Sequence, residues 1–112
     1  MHPFQGSNRP DVWHPIARKH PYSGWTSLYI GRWAYRIEGV EDGEAQELID
    51  YLKDFAIRPE HVYRHKWRVG DALLWDNRCA QHCATPWDDS KYTRRMQRTT
   101  LEGELRIMAE RA

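Results

Sequence analysis

Only one stretch of this chain repeats its apolar residues at helical spacing. Ala45, Leu48, Ile49, Leu52, Phe55 and Ala56 fall at i, i+3, i+4 and i+7, a single stripe along one helix face. Asp42 is suited to the N-cap, acidic residues fill the first turn, and Pro59 forbids continuation. Glu47, Asp50, Lys53 and Asp54 occupy the opposite face, so this helix should pack on one side only. Everything else must be built from extended segments and turns. That points away from an alternating βαβ array and toward an α+β or mainly β domain with one covering helix.

The extended segments read by their period of two. Val12 to Lys19 is the first, with Pro15 confining it to an edge or a strand end. His20-Pro21-Tyr22-Ser23-Gly24 carries turn chemistry, Pro presetting φ and Gly24 allowing a positive value, and Trp25 to Ile30 returns as a strand. Arg32 to Ile37 reads as loop or weak strand. After the helix, Val62 to Trp67 alternates, Val69-Gly70-Asp71 turns, and Ala72 to Asp76 comes back. Gln81 to Thr85 is short and extended. A polar loop through Pro86, Asp88, Asp89 and Ser90 leads to an alternating strand from Thr93 to Leu101. Residues 1–11 form an irregular lead-in and 104–112 a tail or frayed helix, and 1–112 reads as one domain or a piece of one.

Composition decides whether such a chain folds at all. Leu, Ile, Val and Phe total nineteen residues, about 17%, a fraction often seen in disordered chains. Disorder also wants a high net charge, and here 17 Lys+Arg against 16 Asp+Glu leave +1. Six Trp and six Tyr add large buriable area, so a thin, aromatic-rich core is expected. No apolar run approaches the ~20 residues that cross a bilayer, and Met1 to Pro10 has no apolar leader core. No membrane partner and a cytoplasmic location are therefore expected. Nucleic acid is not expected either: Arg58, Arg64, Lys66 and Arg68 cluster, but the last three alternate with Tyr63, His65 and Trp67 as one solvated strand face would.

Two regions could carry chemistry. Cys79-x-x-His82-Cys83 brings an imidazole near two thiols, yet it lacks the paired spacing of a closed zinc site. Neighbouring residues of a strand also point to opposite faces, which separates His82 from Cys83. On the last strand, Arg94, Met96, Arg98 and Thr100 share one face. Arginines four apart lie ~13 Å apart at Cα and could converge on one anion, for which the guanidinium fork is suited. A charged outer face is the alternative.

The order of motifs resembles a known family. Trp67-Arg68-Val69-Gly70-Asp71 through Trp75-Asp76-Asn77-Arg78 to His82-Cys83-Ala84 is similar to a signature of the taurine dioxygenase-like (TauD/TfdA) iron(II)/2-oxoglutarate dioxygenases. Arg94-Arg95-Met96-Gln97-Arg98-Thr99-Thr100-Leu101-Glu102-Gly103 resembles that family's closing strand. His14-Pro15, His20-Pro21-Tyr22-Ser23-Gly24 and Leu28-Tyr29-Ile30 resemble its upstream stretch. The resemblance runs from about Trp13 to Gly103.

By that resemblance the fold is the C-terminal part of a double-stranded β-helix, a jelly roll. His82 matches the distal histidine of the facial triad that holds Fe(II). Arg94 matches the arginine that binds the cosubstrate 2-oxoglutarate, and Arg98 a second arginine near the cosubstrate that can also bind substrate. Trp75, Asp76, Asn77 and Arg78 match positions that shape the approach to His82. The implied reaction uses O2 and hydroxylates a small organic anion, a sulfonate, sulfate ester or carboxylate. The family's other two iron ligands come from an H-x-D/E motif, and none of the six histidines here has Asp or Glu two residues later. The isolated chain is therefore expected to be inactive alone, with a homo-oligomer or a complementing N-terminal half as partner. The rival expectation is a catalytically inactive β-domain remnant or self-associating module without an iron site.

Overall fold

The computed structural model of the chain describes residues 10–103. The expected tail at 104–112 and most of the lead-in at 1–11 lie outside the described residues. Strand β1, Ala17–Lys19, pairs antiparallel with β2, Thr26–Leu28, in the register Ala17↔Leu28, Arg18↔Ser27, Lys19↔Thr26. The turn between them is the one expected. Gly24 sits at φ +72 and donates to the His20 carbonyl at 2.9 Å, and His20 donates to the Trp25 carbonyl at 2.8 Å. The ladder is shorter than the two expected strands, although Tyr29 still donates to the Ile16 carbonyl at 2.6 Å.

Helix α1 spans Asp42–Ala56. Its N-cap is Glu41 rather than Asp42: the Glu41 carboxylate accepts from the backbone N–H groups of Gly43 at 2.8 Å and Glu44 at 3.2 Å. These two bonds hold the Glu41 carboxyl below its usual range. A Cβ on residue 43 would meet Glu41 Oε2 at 2.9 Å, so the glycine leaves room for the longer side chain to fold over the helix end. At the other end Pro59–His61 forms a 3-10 turn. The His61 ring nitrogen Nδ1 lies 3.0 Å from the Phe55 carbonyl and donates to it, satisfying one of the helix's last acceptors.

The helical stripe is only half covered. Ala45 and Ile49 are buried, Leu52, Phe55 and Ala56 are half-buried, and Leu48 is exposed. Ile30, Ala45 and Ile49 are the buried apolar residues among the described ones. Each buried isoleucine contributes ~1.5–3 kcal/mol. Five of the six tryptophans stay exposed, so the aromatic area that composition promised is not buried here.

The remaining strands expected from alternation are not formed. Val62–Trp67, Ala72–Asp76, Gln81–Thr85 and Thr93–Leu101 carry no ladder among the described residues, and the sheet has two strands. The turn at Gly70 does exist, with φ +92, and Asp71 closes it twice, its N–H donating to the Arg68 carbonyl at 3.1 Å and its side chain adding to that. Asp71 Oδ2 accepts from the Arg68 backbone N–H and pairs with His65 Nε2, both at 3.0 Å. Alternation assigns faces to a segment; it does not supply a neighbour to pair with. The double-stranded β-helix is thus not seen, and one helix with a two-stranded sheet is.

Candidate functional site around His82

Trp75 to Ala80 bends back on itself. Cys79 and Ala80 donate to the Asp76 carbonyl at 3.2 and 2.9 Å, and Arg78 donates from its backbone N–H to Asp76 Oδ1 at 2.8 Å. Asp residues favour such local side-chain turns because the carboxylate reaches its own backbone two residues on. Trp75 Nε1 donates to Asn77 Oδ1 at 2.8 Å. The turn delivers His82 with its ring 4.6 Å from that of Trp75, tilted by 50°. His82 is exposed at the rim of an open cleft of about 680 Å³, which it shares with Asn77, Gln81, Ile30, Trp33 and Tyr35.

Asp76 is the hub. Arg78 grips it with Nη2 on Oδ2 at 2.6 Å and Nε on Oδ1 at 2.9 Å, and His20 Nε2 stands 3.0 Å from Oδ2. The Arg78 guanidinium first, then His20, then the Arg78 backbone N–H, hold the Asp76 carboxyl far below the usual carboxylate range. Nδ1 of His20 accepts from the backbone N–H groups of Tyr22 at 3.3 Å and Ser23 at 3.1 Å. Its proton therefore sits on Nε2, which donates to Asp76. Two further tethers reach the same segment. Arg18, 7% exposed, donates from Nη2 to the Arg78 carbonyl at 3.1 Å, its guanidinium lying 3.4 Å from the Tyr29 ring centroid. Gln81 donates from Nε2 to the carbonyl of buried Ile30 at 2.7 Å.

Sequence reasoning passed over Arg18, His20 and Gln81 as parts of this site. No periodic signal marked them, because their partners lie 51 to 60 residues away in the sequence.

His20, Asp76 and Cys79 bring an imidazole nitrogen, a carboxylate oxygen and a thiol within 4.8 Å of one another. This grouping is a poor cation site, because the Arg78 guanidinium already saturates the carboxylate and repels a second positive charge. Among the described residues it is the one grouping of three such ligands, and His82 is not in it. The described residues therefore do not by themselves fit a three-ligand iron centre.

Arg94 and Arg98 are exposed and lie in a segment without a ladder, so the expected strand face is not formed. The Arg94 guanidinium lies 5.2 Å from the Trp87 ring centroid. The loop before it is pinned by Asp88, whose Oδ1 accepts from the Ser90 hydroxyl at 2.6 Å and whose carbonyl accepts from the Tyr92 N–H at 3.0 Å. Cys79 and Cys83 are exposed free thiols, and Cys83 belongs to no group of three metal-ligating side chains among the described residues. Among the described residues no helix is long and apolar enough to cross a membrane.

Comparison with known proteins identifies the family of the chain. Residues 2–100 match the Taurine catabolism dioxygenase TauD, TfdA family, and the chain belongs to that family. It is 51% identical over 74 residues to an (S)-phenoxypropionate/alpha-ketoglutarate-dioxygenase of Sphingobium herbicidovorans, covering 66% of this chain and 26% of the relative. It is 39% identical over 98 residues to an alpha-ketoglutarate-dependent 2,4-dichlorophenoxyacetate dioxygenase of Cupriavidus pinatubonensis, covering 88% and 34%. An alpha-ketoglutarate-dependent sulfate ester dioxygenase of Pseudomonas putida is 37% identical over 94 residues, covering 84% and 31%. The chain thus spans about a quarter to a third of the length of these relatives. No solved structure matches it.

Proposed function

We propose that this chain supplies the distal-histidine and arginine portion of an Fe(II)- and 2-oxoglutarate-dependent dioxygenase. The carrying observation is the family match across residues 2–100, which includes the whole stretch from Trp75 to Arg98. In that reading His82 is one of three iron ligands, Arg94 binds the distal carboxylate of 2-oxoglutarate, and Arg98 lies beside it and meets an anionic group of the substrate. Arginine suits both tasks because its fork pairs two donors with two carboxylate or sulfate oxygens. Trp75, Asp76, Asn77 and Arg78 hold the turn from which His82 projects. The relatives named for a phenoxypropionate, a dichlorophenoxyacetate and a sulfate ester support a small organic anion as substrate. In the complete domain the extended segments after α1 take their place in a jelly roll, with the missing ligands and pairing strands supplied by a complementing part of the fold or by another copy.

The test is complementation. The chain is co-expressed with the N-terminal two-thirds of the Sphingobium relative, and succinate formation from 2-oxoglutarate is measured under air with Fe(II). Succinate should appear with both parts and disappear with His82→Ala. Succinate formation that survives His82→Ala would remove His82 from the iron site.

A further inference from the structure

We propose that His20 and Asp76 are positioning residues for the His82 imidazole, an inference that rests on reading His82 as a metal-ligand position. No ladder holds the segment from Asp76 to Thr85 among the described residues, so its place depends on side-chain tethers. The tether at Asp76 is anchored at both ends. At one end, the His20 ring is fixed by the two backbone N–H groups that Nδ1 accepts, inside the turn that closes the β1–β2 hairpin. Its Nε2–H is thereby aimed at a set point, 3.0 Å from Asp76 Oδ2. At the other end, the Asp76 carbonyl takes the N–H groups of Cys79 and Ala80 and starts the turn that leads to Gln81 and His82.

One residue therefore joins the hairpin, through its side chain, to the turn that places His82, through its main chain. Arg18 on the Arg78 carbonyl and Gln81 on the Ile30 carbonyl restrain rotation about that joint but do not replace it. Loss of either half of the His20–Asp76 bond frees the turn from the hairpin, and Gln81 and His82 leave their place in the cleft they share with Ile30.

The 112-residue chain, isotope-labelled, is studied by NMR, with the Overhauser contact between the Gln81 side-chain amide, next to His82, and Ile30 as the readout. The α1 amides report whether the fold persists. Asp76→Ala and His20→Ala should abolish the contact while the Ala45 and Ile49 amides stay in place. Asp76→Asn has one oxygen where His20 and the Arg78 N–H use two, and its NH2 would face one of these donors, so it should weaken the contact as well. Co(II) is then titrated as a probe of His82. Asp76→Ala should need ~10- to 100-fold more Co(II) for equal broadening of the His82 signals, the usual cost of losing an outer-shell support.

A Gln81–Ile30 contact that persists in Asp76→Ala overturns the positioning role, whatever Co(II) does. Displacement of the α1 amides together with the contact also overturns it, because the effect is then global. A contact abolished as expected, with Co(II) broadening unchanged, keeps the positioning and removes the metal-ligand reading instead.

Discussion

The imidazole of His20 meets the carboxylate of Asp76 at 3.0 Å across 56 positions of sequence. Because Nδ1 is filled by two backbone N–H groups, the neutral ring is held as the Nε2–H tautomer. Long-range proton–nitrogen correlation spectra at neutral pH should show an imine-type Nδ1 and a protonated Nε2 for His20. The opposite pattern would contradict the bonding described.

Acid should loosen this joint. The Asp76 carboxyl titrates below its unfolded value of ~3.9. Its stabilisation is therefore fully present above that value and is lost as pH falls through the folded one. Asp71 and Asp88 are shifted in the same direction, Asp71 by the Arg68 N–H and then His65, Asp88 by the Ser90 hydroxyl. Urea midpoints should fall as pH drops below about 4, and Asp76→Asn should flatten that dependence. An unchanged slope in Asp76→Asn would show that the shift belongs to other carboxyls.

The helix offers a contrast between two neighbours on one stripe. Ile49 is 1% exposed and Leu48 42%. Ile49→Ala should cost ~2–5 kcal/mol. With so small an apolar core, that loss should abolish the helical circular-dichroism signal at room temperature. Leu48→Ala should stay within ~1 kcal/mol. Equal losses for the two would show that the stripe is covered in solution more fully than described.

In the complemented enzyme, Arg94→Ala should weaken 2-oxoglutarate far more than it weakens iron. Truncating one partner of a buried charge pair costs ~2–5 kcal/mol, roughly 30- to 4,000-fold. Anaerobic titration of 2-oxoglutarate into the Fe(II)-loaded wild-type and variant complexes measures it, with Arg95→Ala as the near-neutral control. Equal affinities for Arg94→Ala and wild type would take Arg94 out of the cosubstrate site.

The features legible in the sequence are the local ones. The stripe from Ala45 to Ala56 and the stop at Pro59 placed α1, and His20-Pro21 with Gly24 placed the hairpin turn, because each is decided within a few residues. The N-cap moved to Glu41 because its reach over Gly43 depends on side-chain length, a detail outside the usual capping preference for Asp. Alternation in Val62–Trp67 and Thr93–Leu101 was equally visible, but a strand needs a neighbour, and none is present among the described residues. For the site, Trp75 to His82 could be picked out as a motif. The bonds from His20, Arg18 and Gln81 could not, since contacts between residues 51 to 60 apart leave no periodic trace.

The uneven distribution of backbone partners divides the chain by how long its amide protons survive in heavy water. Those of α1 and of the hairpin around β1 and β2 sit in closed hydrogen-bonded rings and should outlast the rest. Most amides from Val62 to Gly103, which include those of His82, Arg94 and Arg98, have no ladder or helix to shelter them and should exchange early. The residues proposed to meet iron and cosubstrate thus belong to the least protected part of the described residues. Whatever completes the site should be detectable, before any turnover is measured, as a slowing of deuterium uptake confined to that half.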